Sequence, residues 1–402
     1  MHRFFISIVC LTICVFNLSA QVASYEPISK EKEAEIKALL AANKAKAFFE
    51  GGNINIGRFY IGPVLHFLHF NPIEKARIRL SGGLKLDNGL SFFAMGAYGT
   101  KDRAWKYDFA AAYRFKTSAR SHNNIALSFT DNTYLPYLSD YDHLLNSTFE
   151  DADFFLFHRR RLRLSDKMSF DFNALRFDVE ASFSRNRNSK YDPQKEKQGV
   201  KFIKANFYMP MLQLTLAKRD NTPKGDVIVS RYCDFPTMIS VSAAREFFIN
   251  DPGVDNRNRF TLNAQCRIPF DDYKAGCADI GIAAGYITKD VSRGGLYFPQ
   301  SQTGYVSRSY AFLLIPYSRF ATTKYLSPVI SLNSGGMLLN NIPFFRRFHG
   351  NEFLNYKLYI SPYKPYHEVS FGVDNVLDIC GFELAWSSLN KWGVFLRLRV
   401  DF

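Results

Sequence analysis

From about residue 54 to the end of the chain, apolar and polar positions alternate with a period of two. Trp105, Tyr107, Phe109, Ala111, Tyr113 and Phe115 share one side of a segment whose other side carries Lys106, Asp108, Ala110, Ala112 and Arg114. The spacing recurs where Ile78 and Leu80 alternate with Arg77, Arg79 and Ser81, and where Leu354, Tyr356, Leu358 and Ile360 alternate with Asn355, Lys357, Tyr359 and Ser361. Val369, Phe371 and Val373 repeat it against Glu368, Ser370, Gly372 and Asp374. Successive side chains of a strand point to opposite faces, so each run predicts a β-strand with one oily and one polar side. The runs last about ten residues. They stop at turn chemistry such as Asn71-Pro72, Asp87-Asn88-Gly89 and Ser361-Pro362.

Two segments ahead of residue 54 differ. Residues 27–48 are rich in Ala, Lys and Glu, and Ile36, Leu39 and Leu40 cluster on one helical face, which predicts one short helix. Its place is the periplasm or the mouth of a barrel. The Glu/Lys run reads as a solvated face. Residues 1–20 begin with His2 and Arg3, continue apolar from Phe4 to Phe16 and end on Ser19-Ala20. That pattern predicts a secretory signal cleaved after Ala20, although Leu18 is larger than the usual residue at its position. Cys10 and Cys14 follow Val9 and Ile13, not the small residue that a lipidation site needs. The expected division is therefore a signal at 1–20, a helical periplasmic or lumen-facing segment at 21–53, and a barrel at 54–402.

Soluble sandwiches also alternate. Three features favour a membrane barrel: export, aromatic residues at the ends of the apolar faces, and Arg repeated on the polar faces. In hydrocarbon only a closed barrel satisfies every backbone group of a sheet, with its apolar face to lipid and its polar face to the lumen. The C-terminus is the sharpest sign. Val394, Leu396, Leu398, Val400 and Phe402 form one face, and Arg397, Arg399 and Asp401 the other. Leu398, Val400 and the terminal Phe402 resemble the closing strand that outer-membrane assembly machinery recognises. The expected fold is an all-β, transmembrane antiparallel barrel of about 16 strands, with 18 the alternative, and one short N-terminal helix.

The strand number follows from length: residues 54–402 allow roughly 22 residues per strand for 16 strands. With a periplasmic N-terminus the connections at 86–89 and 117–122 are short, and those at 131–152 and 185–198 are long and polar. A literal count of alternating segments comes out odd, so at least one between 205 and 350 is expected not to be a strand.

Composition narrows the classes further. The chain has 402 residues, 47% hydrophobic and 16% aromatic, which excludes a disordered chain. After residue 20 no apolar stretch is long enough for a spanning helix. The formal net charge is +14. Nucleic acid is not an expected partner despite that balance, because an exported chain is in the wrong compartment.

No Gly-rich phosphate loop, HExxH or GxSxG is present. His66 and His69, three apart in an expected strand, would face opposite sides. Asp140, Asp142 and His143 sit near one loop tip, where solvent or cation contacts are the commoner explanation. Of the cysteines beyond residue 20 (Cys233, Cys266, Cys277 and Cys380), Cys266 and Cys277 fall on opposite faces and should not bridge. No catalytic residue, cofactor or metal is expected, so the protein reads as non-enzymatic.

The candidate lumen residues are basic: Arg77, Arg79, Arg114, Arg259, Arg267, Arg397 and Arg399. Arg159, Arg161 and Arg163 lie beside them. One reading is an anion-attracting pore, since cationic walls focus field toward anions. The other pairs these arginines with Asp108, Asp178, Glu180, Asp279 and Glu383 in a filled lumen.

Four segments, GRFYIGPVLHFLHFNPIEKARIRLSGGLKL (57–86), AYGTKDRAWKYDFAAAYRF (97–115), NNIPFFRRF (340–348) and PYHEVSFGVDNVL (365–377), together resemble an uncharacterised outer-membrane barrel family of Bacteroidota-type bacteria. Members usually carry an N-terminal carboxypeptidase-regulatory-like domain, which is absent here. The chain is also distantly similar to the barrels of translocation and assembly proteins. It lacks their periplasmic repeats, and Ser292-Arg293-Gly294-Gly295 only faintly matches their VRG[FY] loop. The resemblance implies the cell outer membrane, with membrane lipid and the barrel-assembly machinery as partners, and leaves oligomeric state open. The expected function is a porin-like solute passage or a component of envelope transport; the alternative is a closed structural or assembly-partner barrel with a salt-bridged lumen. An energy-coupled receptor is not expected, because about 30 residues cannot form a globular plug.

Overall fold

The computed structural model describes residues 54–398, except 64–65, 119, 136–155, 173–174, 192–204, 219–236, 250–254, 271–275, 290–295, 302–310, 317–318, 337–338, 344–349, 363–364 and 377–379. The expected signal, the expected helix at 27–48, Asp140, Asp142, His143, Cys233, Arg399, Val400 and Phe402 lie outside these residues. So does the whole of the faint loop motif, 292–295.

The alternating runs form strands that pair antiparallel with their neighbours in sequence. The front of the sheet holds β1 (Ile54–Ile56), β2 (Phe59–Ile61), β3 (Leu68–Asn71), β4 (Lys75–Lys85) and β5 (Leu90–Gly99). Then come β6 (Trp105–Ser118), β7 (Ser121–Tyr134), β8 (Leu156–Phe172), β9 (Leu175–Tyr191), β10 (Ala205–Lys218), β11 (Met238–Phe248) and β12 (Arg257–Pro269). The rest is β13 (Cys277–Ile287), β14 (Lys324–Asn333), β15 (Asn351–Tyr359), β16 (Tyr366–Val376), β17 (Cys380–Ser387) and β18 (Trp392–Leu398). Both β2 and β3 pair with β4, Phe59–Ile61 against Gly82–Leu84 and Leu68–Asn71 against Lys75–Ile78. They are two halves of one strand, and Gly62 and Phe67 keep backbone bonds to Ser81 and Arg79 across the interruption. Counted so, the eighteen segments make seventeen strands, a three-residue leader and sixteen others. Among the described residues no pairing joins β18 to β1, and the sheet is an open meander.

The burial pattern is inside out. Arg77, Glu74, Lys106, Lys357, Glu368 and Glu383 are fully or almost fully buried, while Leu80, Trp105, Trp392 and Val394 are each at least 65% exposed. Alternation places the charged residues on one face and the apolar ones on the other, as in β15, where Phe353, Asn355, Lys357 and Tyr359 are buried and Leu354 and Tyr356 are exposed. A sheet in water buries its oil. This one displays it, which is the solution demanded by lipid.

The connections at 72–74, 100–104, 288–323 and 388–391 share one rim, called here the long-loop rim. Those at 86–89 and 119–120 share the opposite, short-turn rim. Aromatic pairs border the apolar band at both, with Tyr98–Trp105 (5.1 Å) and Trp386–Trp392 (6.3 Å) at the long-loop rim and Tyr113–Phe115 (5.4 Å) at the other.

Two expectations need correction. Residues 131–134 and 185–191 belong to β7 and β9, not to loops, because polar residues there still pair in register: Asp131 opposite Arg160, and Arg187 opposite both Arg160 and Asn206. Composition marked where the oily face stops, and the ladder continues past it. His66 lies in the interruption between β2 and β3, outside any strand. The alternation restarts there, so His66 reaches Arg79 (3.0 Å) on the inner face while His69 is buried on that same face opposite Arg77. Between 205 and 350, where one alternating segment was expected not to be a strand, the described residues of 296–323, with the apolar stretch Ala311–Ile315, form no wall strand.

Candidate functional site: the inner wall and the segment laid against it

Strand alternation delivers the inner wall its polar residues, and their partners come from neighbouring strands. At the long-loop rim, Glu74 in the β3–β4 turn sits between Arg77 (3.0 Å) and Lys106 (2.6 Å), and Lys106 also pairs with Asp102. Asn71 and Thr133 donate to the same carboxylate at 2.9 and 3.1 Å. Arg77 donates to Asn132 (2.7 Å) and Thr133 (2.8 Å), and the Tyr191 hydroxyl donates to Asp102. Two carboxylates thus meet two cations. Burial alone would raise the Glu74 carboxyl, but Arg77 and Lys106 outweigh it and hold it at about 2.

A second network spans β15–β18. Arg397 pairs with Asp374 (2.7 Å) and Glu383 (3.2 Å) and lies 4.0 Å from the centre of the Phe353 ring. Ser370 (2.5 Å) and Asn355 (3.1 Å) donate to Glu383. Farther round, Arg267 forks onto Asp279 at 2.6 and 2.7 Å, and Arg259 shares Glu246 with Arg257.

Of the seven candidate arginines, Arg77, Arg259, Arg267 and Arg397 are therefore ion-paired and Arg79 contacts His66. Arg114 is on the inner face and exposed, with no ion pair among the described residues. The acidic partners foreseen for them are used: Asp279 and Glu383 as above, Asp178 by Lys167 (2.7 Å), Glu180 by Arg163, and Asp108 by Asn132 (2.9 Å). Cys266 is on the outer face and Cys277 on the inner, and no disulfide joins them.

Sequence reasoning missed the largest feature. The described parts of 296–323 lie across the inner faces of β13–β18, and Phe298 packs against Leu135, Leu156 and Tyr191 at the long-loop end of β7–β9. Leu313 and Leu314 donate their backbone N–H groups to the Glu368 carboxylate, each at 2.9 Å, and Lys357 donates to the Ala311 carbonyl at 2.6 Å. Tyr366 donates to Glu368 at 2.9 Å. Phe312 packs edge-on against Tyr359 and Tyr366, and Phe320 repeats the arrangement from the other side. Leu313 joins Ala385 and Phe395. Gly285 faces inward where a Cβ would collide with the Tyr325 and Tyr297 rings, so glycine makes the space these rings fill. The available sign was an apolar run, Ala311–Ile315, bounded by Pro316 and lacking alternation.

No protein-family model matches the sequence, and no curated protein matches it. Among solved structures, the chain is similar to BamA from Haemophilus ducreyi lacking POTRA domains 1–3, at 10% identity and a TM-score of 0.49, covering 94% of this chain and 79% of that one. It is similar to CdiB from Escherichia coli at 9% identity and 0.48, covering 81% and 60%, and to CdiB from Acinetobacter baumannii at 7% and 0.45, covering 86% and 57%. The chain thus spans less than two thirds of either CdiB chain. At such identity the likeness says nothing of activity. The segments that resemble the Bacteroidota-type family fall largely on β2–β6 and β16.

Among the described residues no group of three His, Cys, Asp or Glu side chains is placed to hold a metal, and no helix is long and apolar enough to cross a membrane. What the inner wall offers is electrostatic: neutralised pairs, one carboxylate clamping two backbone amides, and a polar surface on the side that the segment leaves uncovered.

Proposed function

We propose that the protein is a non-enzymatic β-barrel of the cell outer membrane, exported by the signal at 1–20, whose passage is held narrow by its own chain and which serves envelope assembly or transport rather than open diffusion. The Bacteroidota-type resemblance fits this reading, as do membrane lipid and the barrel-assembly machinery as partners. One observation carries it: residues 311–314 are fastened to Glu368 and Lys357, both fully buried on the inner wall. Paired arginines add to it, because a neutralised guanidinium attracts no anions.

A solute passage remains the second reading, favoured by the inner face of β6–β9. Ala110, Ala112, Ala126, Ser128, Ser165 and Ser182 are small, and Arg114 stands exposed beside them.

Planar-bilayer conductance tests the choice. Wild-type protein is expected to be mostly closed, and the Lys357→Ala/Glu368→Gln variant to open several-fold more often. A large, steady wild-type conductance that the variant leaves unchanged would overturn the proposal.

A further inference from the structure

On the outer face of β8–β11 the aromatic border of the long-loop rim, here Tyr208 and Phe247, is joined by cations. These are Arg160, Arg185, Arg187 and Arg245, all exposed. Register puts them together: Arg160 opposite Arg187 on β8 and β9, Arg185 opposite Tyr208 on β10, and Tyr208 opposite Phe247, two residues from Arg245 on β11. Their outward direction is set by neighbours of the same parity. Leu162 and Leu164 on β8 and Phe183 on β9 are exposed apolar residues of the band. Arg160 is held by Asp131 at 2.6 Å, and Asp131 also takes His158. Arg245 lies 5.0 Å from the Phe247 ring centre, and Phe183 stacks on Tyr208 at 5.6 Å. Among the described residues, Arg160 is the one of the four arginines with an ion pair. The other outward carboxylate here, Asp166, is opposite Ala181, farther from the rim.

Directly below, a shallow, open depression of about 420 Å³ lies on the outer face of β9–β12. Ala181, Pro210, Leu212, Ala243 and Phe260 give it an apolar floor, and Arg245 with Asn258 borders its rim end. The alanines make it: Ala181 and Ala243 both neighbour Leu212 across the sheet, where larger residues would fill the space. The site is thus amphipathic along the strand direction, with cations at the water side and the depression at the lipid side.

We propose that this patch binds a lipid carrying a phosphate headgroup, with the phosphate drawn to the rim that Arg160, Arg185, Arg187 and Arg245 make positive and an acyl chain in the Ala181–Ala243 depression. Guanidinium groups suit phosphate because they present paired N–H donors to its oxygens. Basic residues at a membrane surface attract anionic lipid, with a range of about a Debye length. Free phosphate would use the arginines but not the depression. The inference rests on the membrane reading above.

The test uses the full chain in phosphatidylcholine vesicles with 20 mol% phosphatidylglycerol, comparing motional restriction of spin-labelled forms of the two lipids. Wild type is expected to favour phosphatidylglycerol roughly fivefold, with the preference falling in high salt. The Arg160→Gln/Arg185→Gln/Arg187→Gln/Arg245→Gln variant should lose the preference. Ala243→Phe should weaken it with every arginine kept, which decides the matter if the quadruple variant does not fold. Inorganic phosphate at matched ionic strength should not displace the lipid. Protein that inserts, migrates as a heat-modifiable band and shows no preference sinks this inference alone. It is equally overturned if the folded quadruple variant keeps the preference, or if phosphate displaces the lipid and Ala243→Phe has no effect. Failure of the wild type to insert sinks the membrane reading as well.

Discussion

The two halves of the wall solve the same problem differently. Strands β6–β9 are 14 to 17 residues long, and their inner face is small, polar and largely bare between ion pairs. Strands β15–β18 are 7 to 11 residues long, and part of their inner face is covered by the chain itself, through Phe312, Leu313 and Leu314. The first half satisfies its buried charges with side chains, as Lys106 on β6 does with Glu74 and Asp102. The second enlists backbone amides, as Glu368 does with Leu313 and Leu314. A side-chain network stiffens the wall it belongs to, whereas a side-chain clamp on a returning segment can be released without taking the wall apart. Any gating therefore belongs to the second half.

The largest expected effect is at the first. Glu74→Ala leaves Arg77 buried without its carboxylate and Lys106 with only Asp102, and breaking such a pair costs about 3–5 kcal/mol. The measurement is the urea midpoint of folded, vesicle-inserted protein, and a change below about 1 kcal/mol would show that the network is incidental. Acid should reach the same link by another route. The Glu74 carboxyl is lowered from an ordinary 4.5 to about 2. A lowered carboxyl contributes stability fully above its unfolded value, and that contribution is lost as pH falls through the folded one. Heat modifiability should accordingly decline between pH 4.5 and 2, and the decline should be shallower in Glu74→Gln.

In the second half, Glu368→Gln keeps an acceptor but removes the charge, with an expected loss of about 1.5–3 kcal/mol. Protease accessibility of the 311–315 stretch should rise while the heat-modifiable band persists. Equal loss of band and protection would mean that segment and wall unfold together. The smallest effect is expected at Arg114→Gln. Stability should move by less than about 0.5 kcal/mol, and only the anion preference of any residual current should fall.

Much of the wall was legible from alternation, because period two is local and survives in every strand. Cys266 and Cys277 were placed on opposite faces by that rule alone. The pairing of Arg267 with Asp279 and of Arg397 with Glu383 was half legible: both charges sat on inward positions, but strand register depends on the connections between β12 and β13 and between β17 and β18. Glu74 was not singled out at all, since it belongs to a turn and no periodicity marks it. Residues 296–323 were opaque for a related reason. An apolar run in a lumen and one in a wall look alike until it is known which residues stand opposite.

The outward face has a consequence for how such a chain changes over generations. Lipid is a fluid that accepts any oily shape, so Leu80, Leu127 or Phe371 can exchange for other apolar residues with little penalty. The hidden charges have no such latitude, because each is fitted to named partners. In a lineage of related chains, drift should therefore run fast on the outside and slowly at Glu74, Lys106, Glu368 and Glu383. Kinship would be written in a handful of polar positions, too sparse for overall identity to register.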